Sequence, residues 1–213
     1  LLLEAASRLI GKVKRGKVKL IFQPAEETLA GAEALIKAGV LDDVDTIIGA
    51  HGRPVQDLKA GTLCPAVKHG ASCYMTVTIH GKSAHASRPH LGVNALCVAN
   101  AIINAVSQIH MDPTLSWSAK PTQLHADDGA HNIIPATATL TIDTRAQTNE
   151  VMAGLRAKLE QIFKSIPEAY GATAEVQYSV TCPAANLDPD VTEELAQCIR
   201  ETAGADKLAP ACG

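Results

Sequence analysis

Two adjacent glutamates, Glu26 and Glu27, follow an apolar run and a proline in "LIFQPAEE". His51 closes a second short apolar run, "DTIIGAH". Carboxylate and imidazole together suit zinc, which takes nitrogen, oxygen and sulfur donors. If Glu27 holds a cation, Glu26 is free to act as a general base. Metal-bound water has a pKa near 7, within reach of a neighbouring carboxylate. A plainer reading competes with this one. Paired carboxylates also favour the positive end of a helix dipole, so the glutamates could simply open a helix, and His51 alone could be an ordinary core or surface histidine.

Three further places could carry chemistry. "GKSAHASRPH" (81–90) packs two histidines, an arginine and two serines into ten residues. It reads either as a polar loop or as a loop presenting His85 as a hydrogen-bond donor to a developing oxyanion. His90, restrained by Pro89, reads as structural. Asn132, in "AHNIIP" (130–135), suits a donor role or plain turn chemistry. Arg145 ends "ATATLTIDTR" (136–145). It could clamp a carboxylate bidentately or pair with Asp143 across the surface.

The elements that must position these groups fall into two styles. Residues 16–22 and 45–51 read as short buried strands flanking a helix over 30–39, with Gly39 as its C-terminal stop. Strand, helix, strand is the pattern of a parallel βαβ unit. Glu26, Glu27 and His51 would then share the carboxyl edge of one sheet, where ligands gather in open parallel sheets. Near residue 70 the pattern changes to strict alternation. "SCYMTVTIHG" (72–81) puts Cys73, Met75, Val77 and Ile79 on one face, as in a half-exposed strand. A helix follows over 94–110 with a stripe of Leu96, Ala99, Ile103 and Val106. A weak strand lies at 122–126. In the next strand, 136–145, Thr137, Thr139, Thr141, Asp143 and Arg145 share a face. A helix from 148 to about 166 turns Leu155, Leu159, Ile162 and Ile166 inward, and a fourth strand covers 173–180. This βαββαβ order predicts an antiparallel sheet with both helices on one face. A last helix over 188–203 has Asp188 as N-cap, Pro189 in its first turn and Gly204 beyond its end. Its predicted stripe is Val191, Leu195, Cys198 and Thr202.

The fold class expected is therefore α/β: part of an α/β domain, over 1–69 and 182–213, interrupted by a βαββαβ domain over 70–181. The chain has 213 residues, 46% apolar but only 3% aromatic, so the core is built from small aliphatic side chains. Net charge is -3, which offers no attraction for nucleic acid or an anionic membrane. RNA recognition also wants exposed aromatics and a basic face, and the first alternating strand offers only Tyr74. No apolar run approaches the roughly 20 residues of a membrane helix. Six cysteines without CxxC or zinc-knuckle spacing suit a reduced, cytoplasmic protein. The opening "LLLEAASRLI" starts inside an amphipathic pattern and the chain stops at "APACG", as an internal piece of a longer protein would.

"LIFQPAEE", "GAH", "GKSAHASRPHLGVNAL" and "HNIIPATATLTIDTR" together resemble the aminoacylase, hippurate hydrolase and auxin-conjugate amidohydrolase family of di-zinc metallopeptidases, in the same order and spacing. The resemblance implies a zinc-binding catalytic domain interrupted by a smaller lid or dimerisation domain, and hydrolysis of the amide between an acyl group and an amino acid. It makes Glu26 the general base and Glu27 and His51 metal ligands. It makes His85 and Asn132 stabilisers of the tetrahedral intermediate, in some members reaching a neighbouring subunit's site. Arg145 becomes the clamp for the substrate carboxylate. It implies two divalent ions, zinc or else manganese or cobalt, and a homodimer through the lid. The family's other ligands, a "CGHDGH"-like motif upstream and a histidine downstream, are not in these residues. Two ligands do not close a zinc site, so this chain alone is expected to be metal-poor and inactive. A carboxypeptidase or dipeptidase of the same family is the nearest alternative, since Arg145 serves both; a non-catalytic dimerisation module is the other.

Overall fold

The computed structural model describes residues 1–26, 30–179 and 181–212. They form two compact units, Leu1–Gly49 and Ala50–Gly213.

The first unit holds two short helices, α1 (Leu2–Leu9) and α2 (Ala30–Lys37). Gly39 stops α2 as expected: its φ is +73°, and the Val40 N–H reaches back to the Leu35 carbonyl at 3.1 Å. The two flanking strands are a correction. Neither 16–22 nor 45–51 forms a sheet ladder among the described residues. Ladder bonds are made with neighbours, and an apolar run alone cannot supply them. Val18, Phe22, Ile47 and Ile48 are accordingly all more than half exposed.

The second unit is built on the predicted βαββαβ order. Its sheet comprises β1 (Ala71–His80), β3 (Trp117–His125), β5 (Thr137–Ala146) and β6 (Thr173–Tyr178), in the order β3-β5-β1-β6, antiparallel throughout. A separate two-residue pair joins β2 (Ala84–His85) to β4 (Ile133–Ile134). Helices α3 (Ala95–Ser107) and α4 (Asn149–Ala169) cover one sheet face. Alternation decides which side chains point at them. Met75, Val77, Ile79, Leu140 and Ile142 are fully buried and meet Val98, Ile102, Leu155 and Leu159. Phe163 is the one aromatic among the buried residues of this core. Thr144 is the buried polar exception, and its hydroxyl donates to the Cys73 carbonyl across the ladder at 2.6 Å.

Three details depart from the sequence reading. The stripe of α3 is rotated: Ala95, Val98, Ala99, Ile102 and Val106 are buried, whereas Leu96 is 41% exposed. The weak strand at 122–126 is a full edge strand beginning at Trp117. Pro121 had masked it; a proline is tolerated at an edge, here beside a bulge between Pro121 and Gln123. On the last helix, α5 (Pro189–Thr202), Ala196 is the buried residue, and Cys198 and Thr202 face out. Its N-cap is as expected, the Asp188 carboxylate accepting from the Asp190 and Val191 N–H groups at 2.9 and 3.0 Å.

Candidate active site

The loop after β1 and the turn before β5 are drawn together by β2 and β4. His85 stands opposite Ile133, and the Ala86 N–H donates to the Asn132 carbonyl at 2.8 Å. This places the His85 and Asn132 side chains in contact although 47 residues separate them: Asn132 Nδ2 lies 3.3 Å from His85 Nε2. Both side chains are exposed.

The tautomer of His85 follows from its other nitrogen. The backbone N–H of Ser87, which can only donate, points at His85 Nδ1 at 3.1 Å, and the Ser87 hydroxyl lies 2.8 Å from the same atom. Nδ1 is therefore the acceptor, and Nε2 carries the proton of the neutral ring. An Nε2–H facing an amide NH2 would set donor against donor. Turning the Asn132 amide by 180° lets Oδ1 accept from Nε2, and amide orientation is assigned from such networks. The His85 Nε2–H is then directed at Asn132, and the pair's remaining N–H donors are those of the Asn132 amide. Ser87 was missed in the sequence, where it is one serine of a polar loop; its role depends on the bend that brings it over the ring.

Glycine positions this loop. Lys82 and Val93 exchange backbone bonds of 2.8 Å at its base. A Cβ on Gly92 would sit 2.6 Å from the Lys82 carbonyl oxygen and 2.7 Å from the Ala84 Cβ. Gly92→Ala is therefore expected to destabilise the fold by about 1–3 kcal/mol, as overpacking does. Backbone must shift, so the His85–Asn132 contact is expected to loosen as well. Chemical denaturation of the variant checks the first effect, and the His85 ring resonances check the second. Wild-type values for both would refute it.

Arg145 stands at the other end of the sheet. β1 and β5 pair His80 with Thr137 near the His85 loop and Ser72 with Arg145 at the far end. That is about 26 Å along the strand. There the Arg145 Nε donates to Asp143 at 3.0 and 3.3 Å, and Nη2 donates to the Tyr74 hydroxyl at 3.2 Å. The guanidinium carbon lies 5.8 Å from the Tyr74 ring centre. The hydrogen bond that Arg145 donates to Asp143 raises the guanidinium pKa further above its already high ordinary value. Arg145, with Lys68, His69, Ser116 and Ser118, lines an open groove where the chain enters the sheet. The sequence showed Arg145 and Asp143 on one face, but the cross-strand register that adds Tyr74 was not legible there.

The remaining site residues belong to less built surroundings. Glu26 is exposed and follows Ala25, whose φ of +50° is the one non-glycine left-handed conformation among the described residues. Such backbone costs on the order of 1 kcal/mol and clusters at functional turns. Glu27 lies outside the described residues. His51 is exposed, with Nδ1 2.5 Å from the Gly52 carbonyl. Among the described residues no three His, Cys, Asp or Glu side chains converge as a metal site.

Residues 67–171 match the family described as the peptidase dimerisation domain. N-acetyl-L-cysteine deacetylase from Bacillus subtilis is 31% identical over 84% of this chain and 43% of its own length. Thermostable carboxypeptidase 2 from Saccharolobus solfataricus is 28% identical over 93% of the chain and 52% of its own length. The crystal structure of the aminobenzoyl-glutamate utilization protein from Klebsiella pneumoniae superposes with a TM-score of 0.76 at 27% identity, covering 99% of this chain and 54% of that one. The chain thus spans about half the length of the relatives it matches. No helix among the described residues is long and apolar enough to cross a membrane. The expected lid is the matched dimerisation domain, its sheet and two helices are those read from the alternation, and the chain belongs to the M20 family of peptidases and amidohydrolases.

Proposed function

We propose that the whole protein of which this chain is part hydrolyses the amide bond of N-acyl amino acids. The observation that carries the reading is the His85–Asn132 pair, with its tautomer set by Ser87. Preorganised donors are what a developing oxyanion requires. Glu26 takes the proton of the attacking water and later returns it to the leaving amine. Glu27 and His51 are two of the ligands of a divalent-metal centre, zinc or else manganese or cobalt, whose other donors lie outside these residues. Arg145 exchanges its Asp143 partner for the substrate carboxylate.

Along its strand Arg145 lies about 26 Å from Thr137, the end next to the His85 loop, too far for Arg145 and His85 of one chain to hold one small substrate. That supports a homodimer through the 70–181 lid, with the His85–Asn132 pair of one subunit serving its partner's site. The similarity to a carboxypeptidase keeps a peptide substrate as the second reading.

The test is amine release by the full-length, metal-loaded protein from N-acetyl amino acids and, in parallel, from dipeptides. Turnover of the first set supports the proposal. Turnover of dipeptides alone moves it to the second reading, and turnover of neither overturns both. The 213-residue chain by itself is expected to release no amine above background in the same assay. Activity there would refute the claim that its metal donors are incomplete.

A further inference from the structure

Two cysteines outside the proposed site meet in the second unit. Cys64 and Cys212 are 148 residues apart in sequence, yet their sulfur atoms lie 3.1 Å apart. Both are half-buried and neither is bonded. The contact is held by backbone on both sides. Leu63 pairs with Leu208 and Val67 with Cys212 in parallel bridges. The hydrogen bonds are Leu63 N–H to the Lys207 carbonyl at 2.9 Å, Ala209 N–H to Leu63 at 2.8 Å, Lys68 N–H to Cys212 at 2.6 Å and Cys212 N–H to Ala66 at 3.2 Å. Two segments on opposite flanks of the sheet domain are thereby laid side by side with a thiol on each.

The surroundings suit thiol chemistry. The contact with Cys64, and then burial, push the Cys212 thiol above its usual value, and the Arg53 charge acts in the opposite direction. The Nε–H of Arg53 is buried with no acceptor among the described residues. The Arg53 charge that acts on Cys212 favours the thiolate once it forms.

We propose that Cys64 and Cys212 are a redox pair, oxidised to an intramolecular disulfide by a disulfide of the glutathione class. One thiol loses its proton and its thiolate attacks a sulfur of the oxidant, expelling one glutathione thiolate. The second thiol, also deprotonated, then displaces the other glutathione thiolate from the mixed disulfide. The two protons end on the two glutathione thiolates, so two protein thiols and one oxidised glutathione give one protein disulfide and two reduced glutathiones. The bond would close a loop containing the entire sheet domain, locking the 62–68 and 207–212 segments together.

The experiment treats the full-length native protein with oxidised glutathione, alkylates free thiols and maps peptides without reduction. The expected product links the Cys64 and Cys212 peptides, and both sites lose alkylation together and regain it after dithiothreitol. Cys97 and Cys198 are exposed and serve as internal controls for access of the oxidant. Glutathione adducts at the controls with Cys64 and Cys212 still freely alkylated would overturn the proposal. So would Cys64 and Cys212 each ending as a separate glutathione adduct. In Cys212→Ser the resolving thiol is gone, so Cys64 should accumulate the glutathione adduct instead of a bridge. A bridge from Cys64 to another cysteine in that variant, or in the wild type, would also count against the pair.

Discussion

His85→Ala in the full-length protein is expected to lower kcat for an N-acyl amino acid by about 10²–10³-fold, the usual loss on removing one oxyanion donor. KM should change little, because the interaction strengthens only as negative charge develops on the substrate oxygen. The argument rests on position. Nε2 is the protonated nitrogen because Ser87 occupies Nδ1; its N–H rests on Asn132, and since both side chains are exposed a substrate oxygen can take the place of Asn132 as acceptor. The folded state should not suffer, since exposed side chains away from caps and cores usually contribute within about 0.5 kcal/mol. Asn132→Ala should behave similarly. The double variant should lose much less than the product of the two, because the side chains act as one unit. Steady-state kinetics on the three proteins, with thermal melts as the folding control, decide the matter. A kcat for His85→Ala within threefold of wild type would remove the pair from the reaction.

Glu26→Gln is expected to cost about 10²–10⁴-fold in kcat, the range for loss of a general base, while bound metal stays at the wild-type level. The two readouts separate two roles that sequence alone leaves entangled. If Glu26 is the base, glutamine keeps the shape and loses only the proton acceptor. If Glu26 is instead a ligand, metal content falls together with rate, and the assignment of Glu26 and Glu27 must be exchanged. Survival of turnover with metal intact would mean that another group takes the proton. Glu26 is exposed, so its replacement should leave the fold unperturbed. Metal analysis of the purified variant beside its kinetics provides both numbers.

The local layer of this protein was legible residue by residue. Alternation in 72–81 and 136–145 placed the buried side of two strands correctly, because a strand's side-chain period is 2 wherever one face is covered. Asp188 and Gly39 marked helix ends because they satisfy or release backbone groups next to them. The reading weakened where a local signal was broken or shared. Pro121 hid the first half of an edge strand, and the apolar residues of α3 admitted two neighbouring stripes.

Other features depended on partners distant in sequence. The runs at 16–22 and 45–51 have strand composition, but no ladder covers them among the described residues. Pairing is a property of neighbours, so composition could not decide it. For the same reason the sequence by itself determined which residues could do chemistry, the βαββαβ order and the family. Only the tertiary structure decided that Asn132 meets His85, that Arg145 lies at the opposite end of the sheet, and that Cys64 touches Cys212. Periodicity acts within about ten residues, whereas these contacts are set by strand register and loop closure over 47 to 148 residues.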